Sequence, residues 1–315
     1  MLVLAALLSG AAGAVLGAGS DYAEAMRVRR LVILEPTKPL RADAEVLVLP
    51  VSRGFDQRGT SLCWAYATLN GLETVARVKQ PQSTLELSRR AMQVGTIEDR
   101  YLRKLAATGS YTGERGIAVD ALTLISRNGL VAFADFADVD DPYGSFNIGR
   151  AIDAAAGEQA KLQALRDGLA RVYGVPPETT HLEGNAVSRS ALATAVTTGQ
   201  AWGSYAIARS GAEGYRPHPD PDSRADAVSW FMPAPKLVER IRSALRAGYP
   251  LEITLGGHCL LLYGATYDER GAPTRYYIKD SYPDYFYKAE PARVMENLVE
   301  VTTPQLPPAG ARVRR

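Results

Sequence analysis

The hydrophobic pattern of this chain changes period once, and that change sets the fold class. After Cys63 the apolar residues Tyr66, Leu69, Leu72 and Val75 recur every three positions, which predicts a largely buried helix with Cys63 in its exposed first turn. Beyond Pro235, after one more amphipathic helix over 237–247, short apolar runs take over at 251–255, 259–263, 276–278 and 298–301. Runs of that length, rich in β-branched and aromatic residues, read as strands. A helical first half followed by a β-rich second half is an α+β arrangement with two lobes.

The remaining elements follow from local signals. Val46, Leu47, Val48 and Leu49 form a brief strand that stops at Pro50. Ser83 and Glu86 have capping-box spacing ahead of Leu87 and Met92, which predicts a second helix from about residue 83. Val119, Leu122, Leu124 and Ile125 predict a third, stopped by Asn128-Gly129. Residues 150–173 form the longest helical stretch, with Leu162, Leu165, Leu169 and Val172 on one face, and Gly174-Val175-Pro176-Pro177 ends it. Residues 210–235 carry loop chemistry, including His218 between two prolines.

Composition narrows the classes of function. The chain has 315 residues, enough for a large core, and 36 basic against 34 acidic side chains, a balance that gives no footprint for nucleic acid. Two cysteines, Cys63 and Cys259, exclude a disulfide scaffold, and Cys259 reads as a buried strand residue. Three scattered histidines, His181, His218 and His258, have no metal-ligand spacing, so neither a metal nor another cofactor is expected. Residues 1–20 resemble a signal peptide and predict a secreted or periplasmic protein with no stable membrane span. Because no Lys or Arg precedes Arg27, a membrane anchor is the alternative. Residues 21–45 read as a leader or linker, and 304–315 as a flexible, Pro-rich basic tail.

A thiol at a helix N-terminus feels the positive end of the macrodipole, which favours the nucleophilic thiolate. Cys63 is therefore a candidate for covalent catalysis, and such a cysteine needs an imidazole to move its proton. His258 follows Gly256-Gly257 where a strand begins, while His218 reads as a solvated loop residue and neither it nor His181 is a candidate for the chemistry. Asp280, at the end of the next strand, is able to fix the His258 tautomer. Gln57 lies six residues before Cys63.

The run from Asp56-Gln57 to Cys63-Trp64-Ala65-Tyr66-Ala67 resembles the active-site segment of papain-like cysteine peptidases. Leu87-Ser88, Gly256-Gly257-His258 and Ile278-Lys279-Asp280-Ser281 fall where that family has its other motifs, so the resemblance covers 46–303. Cys63 to Asn70 and the turn at 174–177 are most similar to the bleomycin hydrolase and aminopeptidase C branch. The resemblance implies a two-lobe papain-like fold: a mainly helical lobe over 46–131, a helical insertion and loops over 132–235, and a β-barrel-like lobe over 236–303, with the active-site cleft between the lobes. It implies hydrolysis of a peptide or protein substrate, with Cys63 as nucleophile and His258 as acid/base. Asp280 would orient His258, Gln57 and the Cys63 N–H would serve the oxyanion, and Trp64 would pack behind the thiol.

Several positions depart from the family. Asp280 stands for the usual asparagine, Ser281-Tyr282-Pro283 for Ser-Trp-Gly, and Cys259 for a common alanine. These substitutions keep two alternatives open: a catalytically silent module that binds peptides or a partner, and a cysteine-dependent amidase or acyltransferase. Endopeptidase and aminopeptidase action both stay open, and the oligomeric state is not readable from sequence.

Overall fold

Helix α1 (Cys63–Lys79) is the axis of the first lobe, and every residue from Trp64 to Val75 is buried. A helix apolar on most of its circumference belongs in an interior, and α1 is packed on several sides. The computed structural model describes residues 43–107, 115–138, 144–197, 202–209, 213–217, 228–282 and 285–304. The expected signal peptide, leader up to residue 42, His218 and the tail from 305 lie outside them.

Around α1 lie α2 (Arg89–Ala107), α3 (Ala118–Asn128) and α6 (Arg189–Thr197). Leu69, Leu72, Leu87, Leu124, Ile125 and Leu192 share their core. The expected helix near Ser83 begins instead at Arg89. Ser88 supplies the cap, its Oγ accepting the Ala91 N–H at 3.0 Å, whereas Glu86 is taken by Arg53 at 2.9 Å. The stretch expected as one helix over 150–173 is two, α4 (Gly144–Ala154) and α5 (Glu158–Val172). Gly157, with φ +84°, breaks it, and the pair folds back so that Ile148 and Ile152 pack with Leu165 and Leu169. A hairpin that the pattern did not announce, β2 (Thr179–Leu182) and β3 (Asn185–Ser188), follows.

The second lobe is a single sheet in the order β10 (Phe286–Ala289), β9 (Pro273–Lys279), β8 (His258–Tyr267), β7 (Leu251–Leu255), β11 (Leu298–Pro304), β4 (Trp202–Ile207), β6 (Val228–Met232), β5 (Gly214–Pro217), with β1 (Glu45–Val48) added beside β8. Strands β7, β8, β9 and β11 match the expected runs. Beyond Leu262, which faces Leu251 at the start of β7, β1 takes over along β8, pairing Val48 with Gly264. Among the described residues the strand order is a linear path with no closing pair. Helix α7 (Ala234–Arg246) lays Leu237, Ile241, Ala244 and Leu245 on this core, with α8 (Pro291–Asn297) nearby.

The segment expected as loop contributes β5 and β6, which extend the sheet beyond β4, itself paired with β11. Pro217 is tolerated because β5 is the edge strand. The last strand, β10 (Phe286–Ala289), forms the other edge. Among the described residues no helix is long and apolar enough to cross a membrane.

Candidate active site

The loop before α1 is folded by its own polar groups. Thr60 donates twice to the Gln57 carbonyl, from N at 3.2 Å and Oγ1 at 2.7 Å. Arg58, at φ +54°, is held by its N–H on Asp56 Oδ1 at 2.8 Å. This turn delivers Cys63 as the first residue of α1. Leu62 offers no side-chain cap, so the positive end of the helix is left for another acceptor. Trp64 is fully buried beside it and donates its indole N–H to Ser61 O at 3.1 Å.

His258 arrives through a two-residue turn. Leu255 pairs with His258, and Gly256 at φ +62° adopts the left-handed conformation that reverses the chain. Its Nε2 and Asp280 Oδ1 are 2.7 Å apart. Asp280 follows β9, the strand next to β8, which explains how residues 22 apart meet. Ser281 N–H donates to the same Oδ1 at 2.7 Å, and Tyr287 O–H to Oδ2 at 3.1 Å. Both His258 and Asp280 are buried. With Nε2 committed to Asp280, Nδ1 is left for the Cys63 sulfur, with which His258 hydrogen bonds. Tyr282 lies over this pair, its ring centroid 6.4 Å from that of His258.

The charges in this cluster favour an ion pair. A hydrogen bond from Cys259 leads in holding the Cys63 thiol well below its ordinary pKa; contact with His258 adds to it, and burial opposes both. Burial also works against charge on His258, but Asp280 and Cys63 outweigh it and push its pKa up to about 10. Both shifts favour the thiolate and imidazolium over the neutral pair.

Gln57 is buried, with its side chain bonded at both ends. Nε2 donates to Thr60 O at 2.8 Å, which leaves one amide hydrogen, and Oε1 accepts a short hydrogen bond from Ser281 Oγ. Its backbone N–H donates to Ser281 O at 2.8 Å. The structure thus brings Cys63, His258 and Asp280 together and ties Gln57 to them through Ser281. Three neighbours escaped the sequence reading. Ser281 sits inside a quoted motif without an assigned role, Tyr287 has no local signal, and Cys259, buried as expected, also meets the nucleophile candidate. Among the described residues no cluster of three His, Cys, Asp or Glu is placed to hold a metal ion.

These features define an α+β chain with the two-lobe papain-like fold. The structure of PepW from Lactobacillus rhamnosis superposes with a TM-score of 0.61, covering 90% of this chain and 85% of that one at 12% identity. Looser overlays include bromelain protease from Ananas comosus, at TM-score 0.38, 14% identity, and 82% and 94% coverage of the two chains. Another is one of the mite allergen structures that compare Blo t 1 with Der p 1, at TM-score 0.43, 14% identity, and 89% and 77% coverage. No protein-family model matches the chain, and no curated protein sequence matches it.

Proposed function

We propose that this chain is a cysteine peptidase that cleaves peptide bonds through an acyl-enzyme on Cys63. The observation that carries the reading is the hydrogen-bonded series Cys63, His258 and Asp280, begun at an uncapped helix N-terminus. The Cys63 thiolate attacks the substrate carbonyl carbon, and the C=O electron pair moves onto oxygen. The Cys63 N–H and the remaining amide hydrogen of Gln57 receive that oxyanion. Collapse breaks the C–N bond as the His258 imidazolium gives its proton to the leaving amine. Water then attacks the thioester, His258 takes its proton, and the carboxylic acid product leaves with Cys63 restored.

Asp280 acts on His258 in both halves of this cycle. It holds the ring with Nδ1 toward the sulfur and stabilises the imidazolium. In the acyl-enzyme Cys63 no longer carries charge, so Asp280 alone supports the proton on His258.

A peptide-library digest by wild type, Cys63→Ala and His258→Ala tests the reading. Cleavage by wild type and loss of it in both variants is expected. No cleavage at any peptide bond by a protein whose Cys63 alkylates rapidly would overturn it in favour of another acyl acceptor. Slow alkylation, unaffected by loss of His258, would overturn it in favour of a silent binding module.

A further inference from the structure

The candidate nucleophile has a second thiol for a neighbour. Cys259 follows His258 on β8 and is 3% exposed. It belongs to the apolar cluster against which Cys63 packs, and its sulfur hydrogen bonds with that of Cys63. Thr254 Oγ1 lies 3.5 Å from the Cys259 sulfur, and both cysteines are free thiols. One is partly exposed and the other is sealed behind it, an arrangement in which a small oxidant meets Cys63 first.

We propose that Cys63 and Cys259 form a reversible redox pair, in which a peroxide oxidises Cys63 to a sulfenic acid and Cys259 converts that acid to an intramolecular disulfide. In the first step the Cys63 thiolate attacks one oxygen of hydrogen peroxide, the O–O bond breaks, and the departing hydroxide leaves as water with a proton from the His258 imidazolium. In the second, the Cys259 sulfur attacks the Cys63 sulfur, the S–O bond breaks, and the hydroxyl leaves with the Cys259 proton as a second water. Two thiols and one peroxide thus give one disulfide and two waters. A dithiol reductant reverses it by becoming a disulfide itself.

The electrostatics change in favour of the second step once the first is done. Cys259 is held as a thiol first by its hydrogen bond to Cys63, then by burial and by the charge on Cys63. Oxidation removes that charge, so the resolving thiol is released only when there is something to resolve. Side-chain rotation then closes the contact to an S–S bond of about 2.05 Å. The consequence is protection: the disulfide diverts Cys63 from sulfinic acid, which dithiols do not reduce. None of these steps requires peptide hydrolysis.

The test uses the full chain treated with excess hydrogen peroxide, then dithiothreitol, and followed by intact mass, peptide mapping and iodoacetamide labelling of Cys63. For wild type the expected product lacks two hydrogen atoms, maps to a Cys63–Cys259 crosslink within one chain, and regains nearly all its labelling after reduction. Cys259→Ala and Cys259→Ser are expected to gain two or more oxygens at Cys63 and to lose most of their recoverable labelling. Wild type that accumulates sulfinic acid without the crosslink, or that crosslinks only between chains, would overturn the proposal. The wild-type mass decides this even if the variants fold poorly.

Discussion

Replacing Asp280 by asparagine should move the alkaline limit of the thiolate–imidazolium pair to lower pH. The substitution is nearly isosteric. Asparagine Oδ1 can keep the His258 Nε2–H at 2.7 Å, and its amide can donate to Tyr287 O–H, which turns from donor to acceptor. The contact survives and the negative charge is lost. Raising the His258 pKa from 6.5 to about 10 is worth about 5 kcal/mol in favour of the imidazolium. Burial opposes that preference, and Asp280 and Cys63 supply it. If Asp280 provides half or more, its neutralisation costs about 3 kcal/mol and lowers the midpoint by roughly two pH units. A Coulomb interaction of about 6 kcal/mol at an effective dielectric of 20 makes that amount available. The assay is alkylation of Cys63 by iodoacetate against pH, because the anionic reagent is drawn by the imidazolium and slows as that charge disappears. Wild type should slow near pH 10, and Asp280→Asn roughly two pH units lower. Coincident midpoints in two folded proteins would refute the assignment of the charge to Asp280. Stability follows the same sign. A folded-state pKa raised above its ordinary value contributes stability that is complete below pH 6.5 and is lost as pH rises through about 10.

Three further perturbations test other parts of the fold. Glu73 is buried in an ion pair with Arg89 and also accepts the Leu87 N–H at 2.7 Å, so Glu73→Ala should cost about 3–5 kcal/mol in urea denaturation because it strands the guanidinium. A Cβ on Gly116 would lie 2.7 Å from Trp64 Cε2 and 2.9 Å from Arg100 Nη2; Gly116→Ala should cost about 1–3 kcal/mol and slow Cys63 alkylation by displacing the indole behind it. Burial pulls the Lys279 pKa from 10.5 down to about 7, so the unfolded chain binds the extra proton there and the Lys279 contribution to stability rises between those values, opposing the fall from His258 over the same range. Lys279→Met should remove that contribution, so that denaturation midpoints fall more steeply from pH 7 to 10 in the variant than in wild type.

Much of the site was legible because its chemistry sits in contiguous segments. Cys63 announces itself by opening a helical repeat, and the paired glycines before His258 already imply a turn into a strand. The misread elements had signals that tertiary contacts redirected. Ser83 and Glu86 have the spacing of a capping box, but Arg53, 33 residues earlier in the chain, takes the Glu86 carboxylate. The 150–173 stretch keeps its helical period on both sides of Gly157, and only the packing of Ile148 and Ile152 on Leu165 and Leu169 shows the reversal. Tyr287 was invisible because its link to Asp280 depends on the register that sets Tyr287 beside Ile278. Cys259 could not be distinguished from an inert core thiol, since burial alone fits both readings.

The end of β9 shows why the two lobes hold the site in one geometry. Its last residue and the next two make three different connections. Lys279 Nζ reaches Ser52 O at 3.1 Å, Arg53 O at 2.7 Å and Asn70 Oδ1 at 2.9 Å, joining the strand to the entry loop and to α1. Ser281 bonds both the backbone and the side chain of Gln57. Between them Asp280 holds His258. Extended backbone sends alternate side chains to opposite sides, so Lys279 and Ser281 can grip the helical lobe while Asp280 is left to face β8. The same three residues therefore fix where the helix carries Cys63 and where the sheet carries His258. A substitution at Lys279 or Ser281 that leaves every proposed reacting group intact should still lower the rate of Cys63 alkylation, because it loosens the distance between the two lobes on which the ion pair depends.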